Sequence, residues 1–352
     1  MPLNSNRDGF LYRTSICAIL YVLFSSLSFP NYTQESEEPI KQGRRQAKPS
    51  LESPTSQESQ VQTEGFKIGV SVDLVLMYAT VTDAKDQFIG GLQKERFRVF
   101  EDGVQQNIST FSQENVPISM GILIDLSLSM RRKIDQVNQA ALAFIRANNP
   151  QDQVFLVGFN ERAELLQDFT SDIDEISDSL ENAAVMGSTA IYDAIYLGVQ
   201  KAQTGTRPKK AIVVITDGED RESYYSLAEL LVKVQESDVQ VFCIGFLNPI
   251  PKRGLFGSWS KSVPEKARDA LQRISEETGA RAFFPTSTSE LPAIVAEIAR
   301  ELRSQYAIGY YSSNSARDGS FRRVKIDVSG VPARQVRYRR GYYAPKADAA
   351  QK

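Results

Sequence analysis

ISMGILIDLSLSM, residues 118–130, opens as an aliphatic run and ends by setting one carboxylate and two hydroxyls at alternate positions, Asp125, Ser127 and Ser129. A run without polar alternation is a strand covered on both faces, the pattern of a parallel sheet packed between helices. The polar triplet then falls where that strand stops. Similar runs recur at QVFLVGF (153–159), AIVVITD (211–217), VQVFCIGF (239–246) and RAFF (281–284). Amphipathic segments lie between them. Ile134, Val137, Ala141, Phe144 and Ile145 share one helical face, as do Leu227, Leu230, Leu231 and Val234, and again Leu291, Ile294, Val295, Ile298 and Leu302. A short strand over 162–169 is expected at the sheet edge, running antiparallel. Residues 116–303 thus predict an α/β fold with a doubly wound, mainly parallel sheet of Rossmann-like kind. Ligands of such sheets bind in the loops after the carboxyl ends of the strands.

On either side the pattern changes to β. VSVDLVLMYATVTD (70–83) and RFRVFEDGVQQNISTFS (96–112) alternate apolar and polar residues, with a turn signal at Glu101-Asp102-Gly103. Strands return in SQYAIGYYSS (304–313), FRRVKIDVSG (321–330) and RQVRYRRGYYAP (334–345). The β-rich flanks, 66–115 and 304–345, are expected to associate into a small β-sandwich that receives 116–303 as an insertion, leaving 346–352 as a tail. The alternation of tyrosine with arginine predicts a sheet with one wet face, on which arginine covers tyrosine rings. At the other end, Arg7 and Arg13 precede an apolar run, 16–24, followed by Ser26 and Ser28, which reads as an export signal over 1–28. The run is short against the about 20 residues of a membrane span, and an uncleaved anchor is the alternative. Residues 29–65, rich in Ser, Gln, Glu and Pro, read as a disordered linker, and the basic stretch 41–48 as a solvated charge run.

Composition removes several classes of chemistry. The 352 residues contain no histidine, which excludes Ser-His-Asp and Cys-His catalysis and histidine-ligated zinc. Basic and acidic residues nearly cancel, 41 against 43, and no nucleic-acid partner is expected. Of two cysteines, Cys17 falls in the export segment, and Cys243 reads as a small buried hydrophobe.

The candidate site grows from the opening triplet. Thr189, in MGSTAIYDAI, and Asp217, in VVITDGED, also lie where a strand ends or a helix begins. Each has an ordinary structural reading, the hydroxyls as helix caps and Asp217-Gly218 as a turn. Together they place two carboxylates and three hydroxyls at one edge of the sheet. That all-oxygen set suits Mg2+ or Mn2+, and a divalent ion would relieve the repulsion between the two carboxylates. Asp193, Glu219 and Asp220 lie nearby, either adjusting the field or serving as solvated charges at element ends. The segment 247–263, with Phe256 and Trp259, is either a recognition rim or a surface insertion.

Asp125-x-Ser127-x-Ser129, Thr189 and Asp217 resemble, in order and spacing, the metal-ion-dependent adhesion site of von Willebrand factor type A domains. GLQKERFRVFEDGVQQNISTFS, LRSQYAIGYYSSN and RRGYYAP look like the flanks of bacterial von Willebrand factor A-related proteins, which are usually exported. The resemblance implies that Ser127 and Ser129 ligate the metal directly, Thr189 directly or through water, and Asp125 and Asp217 mostly through water. It implies one coordination position left for an acidic side chain of a partner protein, and a last helix, 287–303, able to shift on binding. The expected function is an exported, metal-dependent protein-binding module. The alternatives are a magnesium-dependent phosphohydrolase with Asp125 as nucleophile, or a structural envelope protein with a vestigial site.

Overall fold

In a computed structural model the structure describes residues 73–113, 115–147, 149–247, 262–331 and 335–346, all within one compact unit, Ile68–Lys352. In chain order the strands before the central sheet are β1 (Leu74–Thr82), β2 (Phe97–Glu101), β3 (Val104–Gln106) and β4 (Ile108–Ser112). Next come β5 (Ile118–Asp125), α1 (Ile134–Arg146), β6 (Gln153–Phe159), β7 (Ala163–Thr170), α2 (Ile173–Glu181), α3 (Ile191–Gln203), β8 (Lys209–Thr216), α4 (Leu227–Gln235), β9 (Gln240–Gly245), α5 (Val263–Glu277), β10 (Ala282–Phe283) and α6 (Leu291–Ser304). The chain ends in β11 (Tyr306–Tyr311), β12 (Phe321–Val328), β13 (Gln335–Arg337) and β14 (Gly341–Tyr343).

The central sheet runs β10-β9-β8-β5-β6-β7, parallel except for β7, which pairs antiparallel with β6 at the edge. All eight residues of β5 are buried, as its position between β8 and β6 requires. Ile118, Met120, Ile122 and Ile124 pack on one side with α1 and α6, while Leu123 packs on the other with α3 and α4. Helices therefore cover both faces, the doubly wound arrangement. Gly121 is needed in this layer because a Cβ there would lie 2.2 Å from Cζ of Phe155. Cys243, in β9, is buried, and burial pushes its thiol up to about 12, as an inert core residue requires.

The remaining strands form two four-stranded sheets, β13-β1-β11-β4 and β14-β12-β2-β3. Both mix strands from before β5 with strands from after α6. They share one apolar core that includes Met77, Val99, Tyr306, Ile308, Tyr310 and Ile326. The wet-face expectation holds in part: β12 alternates between buried and exposed residues and Arg339 lies over the Tyr342 ring at 5.8 Å, but not every arginine is on the wet face. Arg323 and Lys325 do face solvent, but Arg322 and Arg337 are buried. Glu101, also buried, accepts hydrogen bonds from Tyr310 (3.0 Å), Tyr342 (2.8 Å) and Ser312 (2.5 Å), with Arg322 at 3.8 Å. A buried charge has to be paired, so tyrosine hydroxyls and arginine turn inward around this carboxylate.

These sheets meet the α/β layer at the amino ends of its strands. Lys209, at the start of β8, sits over the Tyr78 ring of β1 at 4.7 Å, and Tyr78 donates to the carbonyl of Pro208 (3.4 Å). Glu301, near the end of α6, accepts from Arg337 of β13 (2.6 Å) and Thr80 of β1 (3.2 Å). Among the described residues no helix is long and apolar enough to cross a membrane. The expected export signal and linker, the tail beyond Lys346, and Phe256 and Trp259 of the rim loop lie outside the described residues.

Candidate metal centre

β5 and β8 are neighbours that end together, with Ile124 opposite Ile215. The chain leaves β5 for β6 on one side of the sheet and returns to β8 on the other. That reversal opens a crevice at the carboxyl ends. Asp125, the last residue of β5, is fully buried. One carboxylate oxygen accepts from the amide of Ser127 (2.9 Å) and the other from the hydroxyl of Thr216 (2.6 Å). Burial raises its pKa, the bonds from Ser127 and Thr216 work against that rise, and the charge of Asp217 adds to it.

After Asp125 the chain forms a 3-10 turn over Leu128–Arg132 before α1 begins. Ser127 stands at the N-cap of that turn and makes no side-chain cap bond, and neither does Lys133, the N-cap of α1. The serine hydroxyls instead turn toward each other, Oγ to Oγ 3.0 Å, and Ser129 donates to Oδ1 of Asp217 at 2.6 Å. Thr189 is not used as a cap either. The first amides of α3 are taken from the other side, Tyr192 by Asp220 (3.2 Å) and Ser223 (3.0 Å), Asp193 by Ser223 (3.1 Å). The carbonyl of Thr189 accepts from the amides of Arg221 (2.9 Å) and Glu222 (3.2 Å), which fixes it beside the loop after β8. Gly218 sits so close that a Cβ there would lie 3.4 Å from Oγ1 of Thr189. Gly187, at φ +73°, makes the turn that brings Thr189 in, with its amide-side neighbour Met186 held by the carbonyl of Leu126 (2.9 Å).

Ser127, Ser129, Thr189 and Asp217 thus line one cleft of about 290 Å³, with Leu128, Gly218, Glu219, Arg221, Leu247 and Pro264 around it. Asp125 lies beneath, reached through Ser127 and Thr216. Asp193 and Asp220 belong to the scaffold. Asp193 accepts from the amides of Tyr224 (2.9 Å) and Tyr225 (3.0 Å) and fastens the loop after β8 to α3. Asp220 accepts from Ser223 as well as from the α3 amide, and burial raises its pKa. One participant was missed from sequence. Lys133 pairs its ammonium with Oδ2 of Asp217, and it also lies 3.5 Å from the carbonyl of Ser129. In the sequence it is hidden as the third of three consecutive basic residues; its place one turn past Ser129 was the available signal.

No group of three or more Asp, Glu, Cys or His side chains able to hold a metal occurs among the described residues. The cleft differs by using hydroxyls for most of its donors. Two observations test whether that set fits a divalent cation. A cation, the Lys133 ammonium, already stands against Asp217. And the serine hydroxyls are oriented by acceptors: Ser129 donates to Asp217, and the Ser127 hydroxyl lies 3.0 Å from that of Ser129. Hydroxyl lone pairs are then free for a hard cation without an unpaired proton facing it. The residues fit.

Solved structures match parts of this chain at low identity. An aerotolerance-related membrane protein from Bacteroides fragilis matches 53% of this chain and 98% of its own length at 20% identity, TM-score 0.41. A von Willebrand factor type A protein from Catenulispora acidiphila matches 79% and 74% at 13% identity, TM-score 0.43. Proximal thread matrix protein 1 from the mussel byssus, with a zinc-occupied MIDAS motif, matches 58% and 50% at 16% identity, TM-score 0.44. No curated protein matches the chain significantly. Residues 120–219, the stretch that carries all five candidate side chains, match the sequence model of the von Willebrand factor type A domain.

Proposed function

We propose that the cleft holds one divalent cation, Mg2+ or Mn2+, and through it binds a partner protein by an exposed Asp or Glu. The observation that carries this reading is the convergence of three hydroxyls and one carboxylate, from three separate loops, on one cleft. Ser127 stands at an N-cap position, where a cap bond is the ordinary outcome, yet its side chain makes none, and it lines the cleft together with Ser129, Thr189 and Asp217. A bound divalent ion supplies an electrophilic coordination position for a carboxylate oxygen. Ser127, Ser129 and Thr189 would hold it, Asp217 would take the Ser129 proton and, with Asp125, balance the cation's charge, and Leu128, 53% exposed at the rim, would meet the partner. Tyr310, Tyr342, Arg322 and Arg337 of the flanking sheets have no part in recognition on this reading, because they are engaged around Glu101 and Glu301. The amino-terminal sequence supports an exported, envelope-associated or secreted module.

As a phosphohydrolase nucleophile Asp125 is badly placed, being fully buried with both oxygens bonded. Isothermal titration of Mg2+ and Mn2+ into the wild type and into Ser127→Ala/Ser129→Ala tests the proposal. One site is expected in the wild type, with affinity reduced by about 100-fold or more in the variant, at the upper end of what metal-site changes cost. A wild type that binds neither ion would leave the structural alternative, and metal-dependent turnover of chromogenic phosphate esters would favour the enzymatic one.

A further inference from the structure

Asp217 has a nearly buried side chain, 4% exposed, and both its oxygens are engaged, Oδ1 by the hydroxyl of Ser129 and Oδ2 by the ammonium of Lys133. Lys133 is held firmly at its backbone. Its amide donates to the carbonyl of Met130 (2.7 Å), and its carbonyl accepts from the amides of Gln136 (3.1 Å) and Val137 (3.0 Å), at the joint between the 3-10 turn and α1. Its side chain is a third exposed, 32%, so the ammonium can exchange Asp217 for water by rotating its stem alone. We infer that Lys133 is a built-in competitor of the divalent cation, seated on Asp217 when the cleft is empty of metal, and that it sets the cleft's metal affinity. This rests on the metal-site reading above.

The charges explain the effect. Asp125 and Asp217 contribute two negative charges when ionised and Lys133 one positive, so the cleft stands at about one net negative charge. A divalent ion entering with the ammonium in place meets a like charge at short range in a partly water-excluded site, where that repulsion is stronger than in bulk water. Entry is relieved when the ammonium leaves Asp217, and that separation weakens binding. Once the metal is in, the same ammonium remains at the rim, within reach of an incoming carboxylate. Lys133 thereby trades metal affinity for attraction to an acidic partner.

Manganese titrations of wild type, Lys133→Met, Lys133→Gln and Lys133→Arg, followed by calorimetry and by the electron paramagnetic resonance signal of free Mn2+, test this. Removal of the charge in either Met or Gln is expected to tighten Mn2+ binding by about 10-fold, a 1.4 kcal/mol effect; Arg, which keeps the charge, is expected to bind no tighter than wild type. Thermal unfolding without metal is expected to show both neutral variants folded, and their melting temperature rising more on Mn2+ addition than that of wild type. Equal or weaker Mn2+ binding by both neutral variants, with wild type binding normally, overturns the competitor role and leaves the metal site standing. Absence of binding in wild type and variants alike overturns the site itself.

Discussion

Lys209 enters β8 at its amino end with its side chain inside the protein, 2% exposed, donating to the carbonyl of Leu302 at 2.5 Å. Desolvation is the main reason its pKa falls to about 7; the positive charge of Arg303 adds to the fall, and Glu301 and Asp152 oppose it. The folded value lies below the ordinary lysine value near 10.4, so between these pH values the unfolded chain holds a proton that the folded chain has released. Stability therefore rises with pH across that window. Below about 7 both states are protonated and the cost of burying the charge is present in full. Lys209→Met is expected to be more stable than wild type at pH 6, with the gap narrowing as pH climbs from about 7 toward 10. Chemical denaturation at a series of pH values reads the gap directly; a gap that does not change over that range would show that the ammonium is not the cause.

At the scale of elements, α6 is tied to β1 and β13 through the carboxylate of Glu301. Glu301 is fully buried and receives Arg337 of β13 at 2.6 Å and Thr80 of β1 at 3.2 Å, with Nε of Arg281 3.4 Å away. Removing one partner of a buried pair leaves the other charge uncompensated, a cost of about 3–5 kcal/mol. Glu301→Leu is expected to lose about that much stability in urea denaturation, and Arg337→Met combined with it to recover part of the loss, because the stranded charge is then gone. A double variant no more stable than the single one would mean that packing, and not charge, is what the pair supplies. The same tie bears on the expectation that the last helix shifts on ligand binding: any such shift has to carry β1 and β13 along or break this contact. Other helices announced themselves by local chemistry. Ser226 and Glu229 form a capping box at α4, Ser262 and Glu265 another at α5, and Asp172 caps α2 by accepting from the amide of Asp174. Those signals lay in the sequence, but the apolar faces alone pointed to three helices only.

For the whole molecule, what was legible depended on whether a pattern is local. The buried runs of β5, β6, β8 and β9 could be read because a central parallel strand has no wet face and so no alternation. The antiparallel edge strand β7 lies where a short edge strand was expected, at the sheet's end. The association of the two flanks was read from their shared composition, and the structure gives them one core. The Glu101 cluster was not legible, because arginine alternating with tyrosine looks the same whichever side of the strand faces inward. Nor was Lys133 in the cleft, since only the fold shows which of three basic residues reaches Asp217. Because Met77 and Val99 are covered by Tyr306, Ile308, Tyr310 and Ile326, a chain ending at Ser304 is expected to expose that core. It should bind a hydrophobic dye and aggregate, while the full chain does neither; a soluble truncated chain with native-like near-ultraviolet circular dichroism would refute the shared-core account.

The flanking sheets grip the α/β layer at the amino ends of its strands, by Tyr78 under Lys209 and by Arg337 on Glu301, whereas the cleft opens at the carboxyl ends. If the cleft captures a partner as proposed, mechanical tension between that partner and the flanks would run parallel to β5 and β8. Loaded in that direction, the interstrand bonds of those two strands resist together as a shear joint, and would not peel open one after another as they would under a sideways pull.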